Sequence, residues 1–555
     1  MKYSRQVVLP LLLLVCLVRC NGCFRANPET PLHLVAPNAP ALLWTVNAVE
    51  LSSGVEQFVG GATRRAGGPI VKRLRKGTAQ QIGFDPLRLE ELQVHGALPH
   101  KGVVVFTEGV SPAPIMAIGI SDTKKFDVFL GTSLGKYSSA TRLEQSSEQG
   151  LVFNEIGRPF GDATVPVIAW THVRGFALLS EATGLASLKE AALRIQKQDY
   201  SVPGSSIVSD PDFIELNSRL DSGMFHFFVR GGDVATRVLK NPLATDSKGL
   251  ILSGGVGVDG LFMDSFVDLA LPGLKEAFGI EPVMPLSAKI EADAVLAFLT
   301  RLASEEGLKT ARHNKGLGLV IESTLAKMGS VTALDIEKEV IPFFSGPMTF
   351  GVHLKEVTEL PGHLRKSRGG LMGSLDAMLD VFQVAISAEL SDVEGMNQLL
   401  ETSKKNLEKR GTSIRHSIET IEGKEVSIYE NDVEVPRFGW AVVDNLYVYG
   451  AGPGRLRQTL NHLLSGEKGP HLDLGKSGGG VLASAPSTSV LVLRTGAAAD
   501  ALLDLVKGAE GKAPSFGMAL MVRQLAEVVR SIGDVSVAVR GEDDGMRLMF
   551  REKLQ

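Results

Sequence analysis

Ser133 is the residue of this chain whose neighbours most resemble a reactive site. It sits in GTSLG, Gly131 to Gly135, the spelling of a nucleophile elbow, in which a serine stands exposed on a strand-to-helix turn. Here an amphipathic stretch precedes Ser133 and the polar string KYSSATRLEQSSEQG follows it, so the sequence predicts a loop at a helix C-terminus instead. Gly475, Lys476 and Ser477 resemble the end of a phosphate-binding loop. The first glycine of that pattern falls on Pro470, which has no N–H to offer a phosphate, and a surface loop is expected. GAGPG, Gly450 to Gly454, lies between a strand-like and a helix-like stretch, as a dinucleotide turn would. Arg455 occupies the place of the third glycine and Pro453 removes a donor, so a tight strand-to-helix turn is the reading. The 11 histidines are scattered; the closest pair, His95 and His100, lacks the i, i+4 spacing of a helical metal site. No metal, no cofactor and no catalytic residue is expected.

Cysteine chemistry is confined to one end. Cys16, Cys20 and Cys23 are the chain's 3 cysteines, so no disulfide or thiolate nucleophile arises from Phe24 onward. Lys2 and Arg5 precede an uncharged run from Val7 to Val18, the make-up of an export signal and shorter than the roughly 20 residues of a spanning helix. No later segment is long and apolar enough to span. Cys23 follows Gly22, as the acylated cysteine of a bacterial lipoprotein follows a small residue. Cys20 follows Arg19 and Cys16 follows Val15, and neither fits. Position 20 holds cysteine where such signals carry leucine, so ordinary cleavage after Gly22 stands as the rival to lipidation at Cys23. The layout read here is a signal peptide over 1–22 and a Pro- and Asn-rich tether over 23–35. Arg64, Arg65, Lys72, Arg73, Arg75 and Lys76 form a basic run that could meet anionic headgroups beside an anchor; a solvated helix face is the preferred reading.

The elements that position these residues repeat. Asp122 and Asp392, and Val165 and Val435, are each 270 residues apart, and the same displacement carries Trp170 onto Trp440. Such a period marks duplicated structural units. In each copy a strand (Ile115–Ile120; Val381–Leu390) leads through Ser-Asp into a helix with matching apolar stripes, Phe126, Phe129 and Leu130 against Met396, Leu399 and Leu400. Ser121 and Ser391 are read as helix caps, with capping boxes at Ser391/Glu394 and Ser187/Glu190. A hairpin follows, with Gly175 and Asn445 expected at positive φ, and then a second helix. Further on, Arg230 matches Arg494, and Asp259-Gly260 matches Asp544-Gly545. Trp170 and Trp440 are read as core rather than as a ligand groove. Unit one spans about 36–272 and unit two 273–555. The predicted fold class is α+β: a tandem repeat of antiparallel sheets with helices packed on one face, each with a core similar to the ferredoxin-like fold.

Composition excludes some functions. With 58 basic and 62 acidic residues, a net charge of −4 and 6% aromatics, the surface offers no general footprint for nucleic acid. Over most of 36–550 the chain resembles an uncharacterised bacterial envelope family described only as a domain of unknown function. The resemblance rests on Ile120–Leu130, VRGFALLSEATGLASLKEAAL, SDPDFIELNSRL before MFHFFVRGGDV, and DIEKEVIPFFSGPMTFGVHL with VDNLYVYGAG. It implies an exported, repeat-built protein and supplies no activity. The expectation is therefore a non-enzymatic lipoprotein of binding or structural type, lipid-anchored at a bacterial periplasmic face or cell surface. Its partners would be the membrane and an envelope protein, glycan or lipid. Two alternatives remain open: an exported serine hydrolase using Ser133, and a periplasmic carrier of lipid or another apolar ligand.

Overall fold

The computed structural model describes residues 28–66, 76, 79, 84–85, 87–108, 113–138, 142–160, 163–200, 202–232, 247–269, 275, 281–301, 322, 341–354, 382–409, 411–432, 438–452, 454–465, 471–474, 482–485, 488–500, 503, 530 and 533–553. The signal segment with Cys16, Cys20 and Cys23, the Gly475–Ser477 string, and Lys72, Arg73 and Arg75 lie outside them. Contacts divide the chain into two compact units, one mainly up to Arg230 and the other mainly from Gly254 onward. Within the stretch read as a tether, Pro31–Leu34 is a 3-10 turn, and Leu34 and Val35 are fully buried.

Unit one contains β1 (Ala41–Thr45), β2 (Val103–Thr107), β3 (Pro114–Gly119), β4 (Arg142–Glu148), β5 (Leu151–Phe160), β6 (Ala163–Val173), β7 (Phe176–Glu181) and β8 (Phe225–Arg230). Its helices are α1 (Ala48–Ala66), α2 (Thr123–Ser138), α3 (Leu185–Lys197) and α4 (Pro211–Asn217). The boundary between the units falls within β9 (Gly249–Gly257). Unit two continues with β10 (Gly260–Asp268), β11 (Ala294–Arg301), β12 (Phe344–Leu354), β13 (Phe382–Leu390), β14 (Ile414–Ile421) and β15 (Lys424–Asn431). It closes with β16 (Phe438–Val443), β17 (Leu446–Ala451), β18 (Thr488–Leu493), β19 (Asp534–Gly541) and β20 (Gly545–Lys553), and carries α5 (Val393–Lys409) and α6 (Arg455–Ser465).

Hydrogen bonding in unit one runs β4-β5-β6-β7-β3-β2-β1-β8, antiparallel throughout. In unit two it runs β14-β15-β16-β17-β13-β12-β11-β18-β19-β20-β10, also antiparallel. The first eight places follow one order in both units, and the registers agree. Leu179 faces both Trp170 and Met116, and Tyr449 faces both Trp440 and Ile386. The two arginines paired by sequence make matching bonds. Arg230 N–H donates to Pro40 and its guanidinium to Pro37; Arg494 N–H donates to Val295 and its guanidinium to Ala292.

The expected α+β class is corrected by these strands. Among the described residues antiparallel sheet outweighs helix, in 20 strands, with strand at 43% against helix at 34%. Part of the excess comes from KYSSATRLEQSSEQG, read as a polar loop, which contributes β4. More comes from β14 and β15, a hairpin carrying Arg415, Glu419, Lys424, Glu425 and Glu430. A strand packed on one face alternates apolar and polar residues, but β14 is exposed or half-exposed everywhere between its buried ends Ile414 and Ile421 and so lacks that alternation. A ferredoxin-like core has too few strands to describe either unit.

The expectation of helices on one face fails as well. Successive residues of a strand point to opposite faces. In unit two, α5 buries Met396 and Leu400 with Trp440 and Val442, while α6 buries Leu456 and Leu460 with Ala441 and Val443. The two helices therefore cover opposite faces. Helix starts also shift by one residue. Asp122 accepts from the Lys125 amide at 3.1 Å and Asp392 from the Gly395 amide at 2.9 Å, so each aspartate is the cap. Ser121 and Ser391 instead donate to the carbonyls of Gly96 and Pro342. The expected boxes are displaced too: Gly184 precedes α3 without a side-chain cap, and Ser187 is buried in its first turn.

Candidate functional site

Helix α2 covers an apolar space in unit one. Phe126, Phe129 and Leu130 fall at i, i+3 and i+4, and all three are buried. They pack with Ile118, Trp170, Ala177 and Leu179 from the sheet below. The packing is incomplete. Between Phe126 and Leu130 above and Met116, Ile118, Ile168 and Leu179 below lies a cavity of about 300 Å³, at the lower end of ligand-pocket sizes. Its exposed lining is apolar. Phe129 and Ser133 form one wall and are shared with a second cleft of about 520 Å³, whose polar members are His95, Lys124, Lys125 and Thr132. His95 stacks on the Phe129 ring at 4.4 Å and Phe84 meets it edge-on at 5.9 Å.

A polar cluster anchors the helix beside this cavity. Trp170 Nε1 donates to Asp127 Oδ1 at 2.8 Å, and His172 Nε2 lies 2.6 Å from the same oxygen. Trp170 is 1% exposed, so its indole N–H would be costly to leave unpaired. In unit two the equivalent positions are Asn397, Trp440 and Val442, and Trp440 Nε1 has no hydrogen-bond partner.

The equivalent space in unit two is filled. Ile168 becomes Phe438, Leu179 becomes Tyr449 and Ala177 becomes Tyr447. Tyr429 and Phe438 stack on Trp440 at 5.9 and 6.4 Å, and Tyr447 meets Phe344 at 5.9 Å. Burial pushes the phenols of Tyr447 and Tyr449 above their ordinary pKa, so they remain neutral filler. This unit carries instead a closed ionic knot between sheet and α6. His353, 1% exposed, has Nδ1 3.0 Å from Asp293 and Nε2 3.0 Å from Arg455 Nη2, and Arg455 pairs with Glu291. Burial works to raise the Asp293 carboxyl, but the His353 hydrogen bond and the charges of His353 and Arg455 leave it below its ordinary value. The adjoining void, about 10 Å³, is of the size that one water needs. The knot serves packing. Glu108 of unit one makes the matching tie, pairing with Arg194 of α3, which also reaches the Leu34 carbonyl.

The sequence-based candidates take ordinary places. Ser133 lies inside α2, not in a loop after it, and is 7% exposed. The helix runs on to Ser138 because residues 131–138, glycines included, continue the turn. An elbow needs free amides beside its serine, and a mid-helix serine has neighbours whose amides serve the helix. Gly450 lies against α6, where an added Cβ would come within 2.5 Å of the Leu456 backbone, so it marks the tight turn expected. Trp170 and Trp440 are core. In the hairpin turns Gly175 has φ 83°, but the second positive φ falls on Asp444 at 52°, one residue before Asn445. Among the described residues no cluster of three His, Cys, Asp or Glu side chains could hold a metal. Sequence reading missed Asp127, His172 and the cavity itself. The displacement of 270 held their signal: Asp127, His172, Ile168 and Leu179 are all positions where the copies disagree.

No family model matches the chain, and no curated protein does. Solved structures give a faint likeness. Crystal forms IV, I and III of TP0453 are each 11% identical, with TM-scores of 0.27, 0.24 and 0.24. The matches cover 44% of this chain and 81, 80 and 80% of those chains. Scores this low fix neither a fold nor a function.

Proposed function

We propose that the protein is an exported, non-enzymatic binding protein of a bacterial envelope, anchored by a lipid at Cys23, that takes an apolar ligand into the cavity beneath α2. The cavity carries this reading. It is a pocket partly open to solvent, with Met116 in its wall 37% exposed; its lining is apolar, and it is built at positions that unit two fills with aromatic rings. An apolar lining attracts an apolar guest, and the hydroxyl in it, Ser133, lies mid-helix, where the neighbouring amides serve the helix and not an oxyanion. Export rests on Lys2, Arg5 and the run Val7–Val18, and anchoring on Gly22-Cys23. Among the described residues no helix is long and apolar enough to cross a membrane, and the anchor would supply attachment.

Two experiments test the reading. Native mass spectrometry of the purified protein should show a co-purified apolar molecule, or saturable uptake of methyl dodecanoate; neither appearing would remove the ligand claim. Palmitate labelling in a bacterial host should be lost in Cys23→Ala. Labelling unchanged by that substitution would remove the anchor and leave the cavity untouched.

A further inference from the structure

The second cleft has a charge and a place that the apolar cavity does not explain. It shares the wall formed by Phe129 and Ser133 with the cavity, so the two spaces adjoin at that ring and a ligand spanning both would have to pass it. Its walls present Lys124, Lys125 and His95 and no carboxylate. The nearest acid, Asp122, caps the helix and lies 3.5 Å from Lys125 Nζ, which offsets part of that one charge. Of the acids on the 3-10 turn Leu89–His95, which carries His95, Glu91 accepts from the Asp85 amide at 3.3 Å, and Glu90 is exposed. In unit two the positions of Lys124 and Lys125 hold Glu394 and Gly395. The unit with the filled space has therefore also lost both cations.

Resting on the apolar-ligand reading of the cavity, we infer that the ligand is a single-chain amphiphile with an anionic head. The tail lies beneath α2 against Met116, Ile168 and Leu179. The carboxylate or phosphate head lies in the cleft, where Lys124 and Lys125 donate to it from the first turn of the helix. Opposite charge at a half-exposed site favours the anion over a neutral head by an amount that salt reduces.

The test compares dodecanoate, dodecyl phosphate and methyl dodecanoate on the full chain, by displacement of a fluorescent fatty-acid probe. The anions should bind about tenfold tighter than the ester, the ratio one charge-assisted hydrogen bond supports. In Lys124→Gln/Lys125→Gln the ratio of anion to ester affinity should fall to about one, and in Lys124→Glu alone it should invert. Equal binding of acid and ester to the unaltered protein, or a preference that survives the double substitution, overturns the anionic head and leaves the cavity reading standing. Failure of all three probes to bind removes the cavity reading and this inference with it. The order of the two anions separates a fatty-acid source from a phospholipid source.

Discussion

Unit one and unit two place the same helix over the same strands and finish the job differently. Beneath α2 the sheet offers Ile168, Ala177 and Leu179; beneath α5 it offers Phe438, Tyr447 and Tyr449. The first set leaves a cavity of about 300 Å³, and the second forms a stack around Trp440. The comparison separates what the architecture requires from what one copy has kept for another purpose. Register, helix stripe and the paired arginines Arg230 and Arg494 are common to both. Among the described residues the cavity, its lysines and the Asp127 cluster stand in unit one, where unit two carries aromatic rings, Glu394, Gly395 and Asn397 at the equivalent positions.

The largest expected effect comes from making unit one resemble unit two. Ile168→Phe with Leu179→Tyr should abolish uptake of methyl dodecanoate, measured by probe displacement, while the protein stays folded by circular dichroism. Undiminished uptake would place the ligand elsewhere. The reverse exchange, Phe438→Ile with Tyr449→Leu, should destabilise unit two by about 2–5 kcal/mol through cavity formation, read from denaturant unfolding; an unchanged midpoint would mean that the aromatic stack is not filling. Asp127→Ala should cost about 1–3 kcal/mol, because it strands the buried Trp170 indole, and should shift tryptophan emission. Asn397→Ala, its counterpart, should change stability by less than about 0.5 kcal/mol. Equal losses would show that the two helices are anchored alike.

The smallest effect concerns ion pairs tying the second helix of each unit to its outer hairpin. In unit two Arg457 holds Glu419 at 2.7 Å, and that hydrogen bond keeps the Glu419 carboxyl below its ordinary 4.5. In unit one Lys189, which aligns with Arg457, makes a looser pair with Glu148 at 3.8 Å. A carboxylate with a lowered folded pKa contributes stability that is present above the ordinary value and lost as pH falls through the folded one. Glu419→Gln should therefore lower the stability at neutral pH by under about 1 kcal/mol at this exposure, seen as a small drop in melting temperature, and the deficit should close below pH 4.5. A deficit that persists in acid would assign the effect to shape rather than charge.

Much of the frame was legible because it repeats and because it is local. The stripe Phe126, Phe129, Leu130 and its twin need only one helix to be recognised, and the hairpin at Arg174-Gly175 needs only a turn. Strands β4 and β14 were not legible, since Glu144, Arg415 and Glu419 dilute the apolar alternation that marks a strand. The helix caps were misplaced by one residue because Ser121 and Asp122 are both good caps, and Gly96, 25 residues away, decides between them. The cavity could not be read at all from one copy. It is a shortage of volume among residues from β3, β6, β7 and α2, and a shortage leaves no motif.

Strands β4 and β14 end the strand order of their units, each pairing among the described residues with one neighbour alone, β5 or β15. A margin with open amides is a template for a further strand, including one from another molecule. Along β4 the exposed Glu144 and Glu148 set like charges where two copies of that margin would meet. Along β14 Arg415 and Glu419 have opposite signs, and Ile418 is 69% exposed between them. Two β14 margins meeting antiparallel would thus be spared the repulsion that guards β4. The duplicated margins have diverged in how well they refuse their own kind.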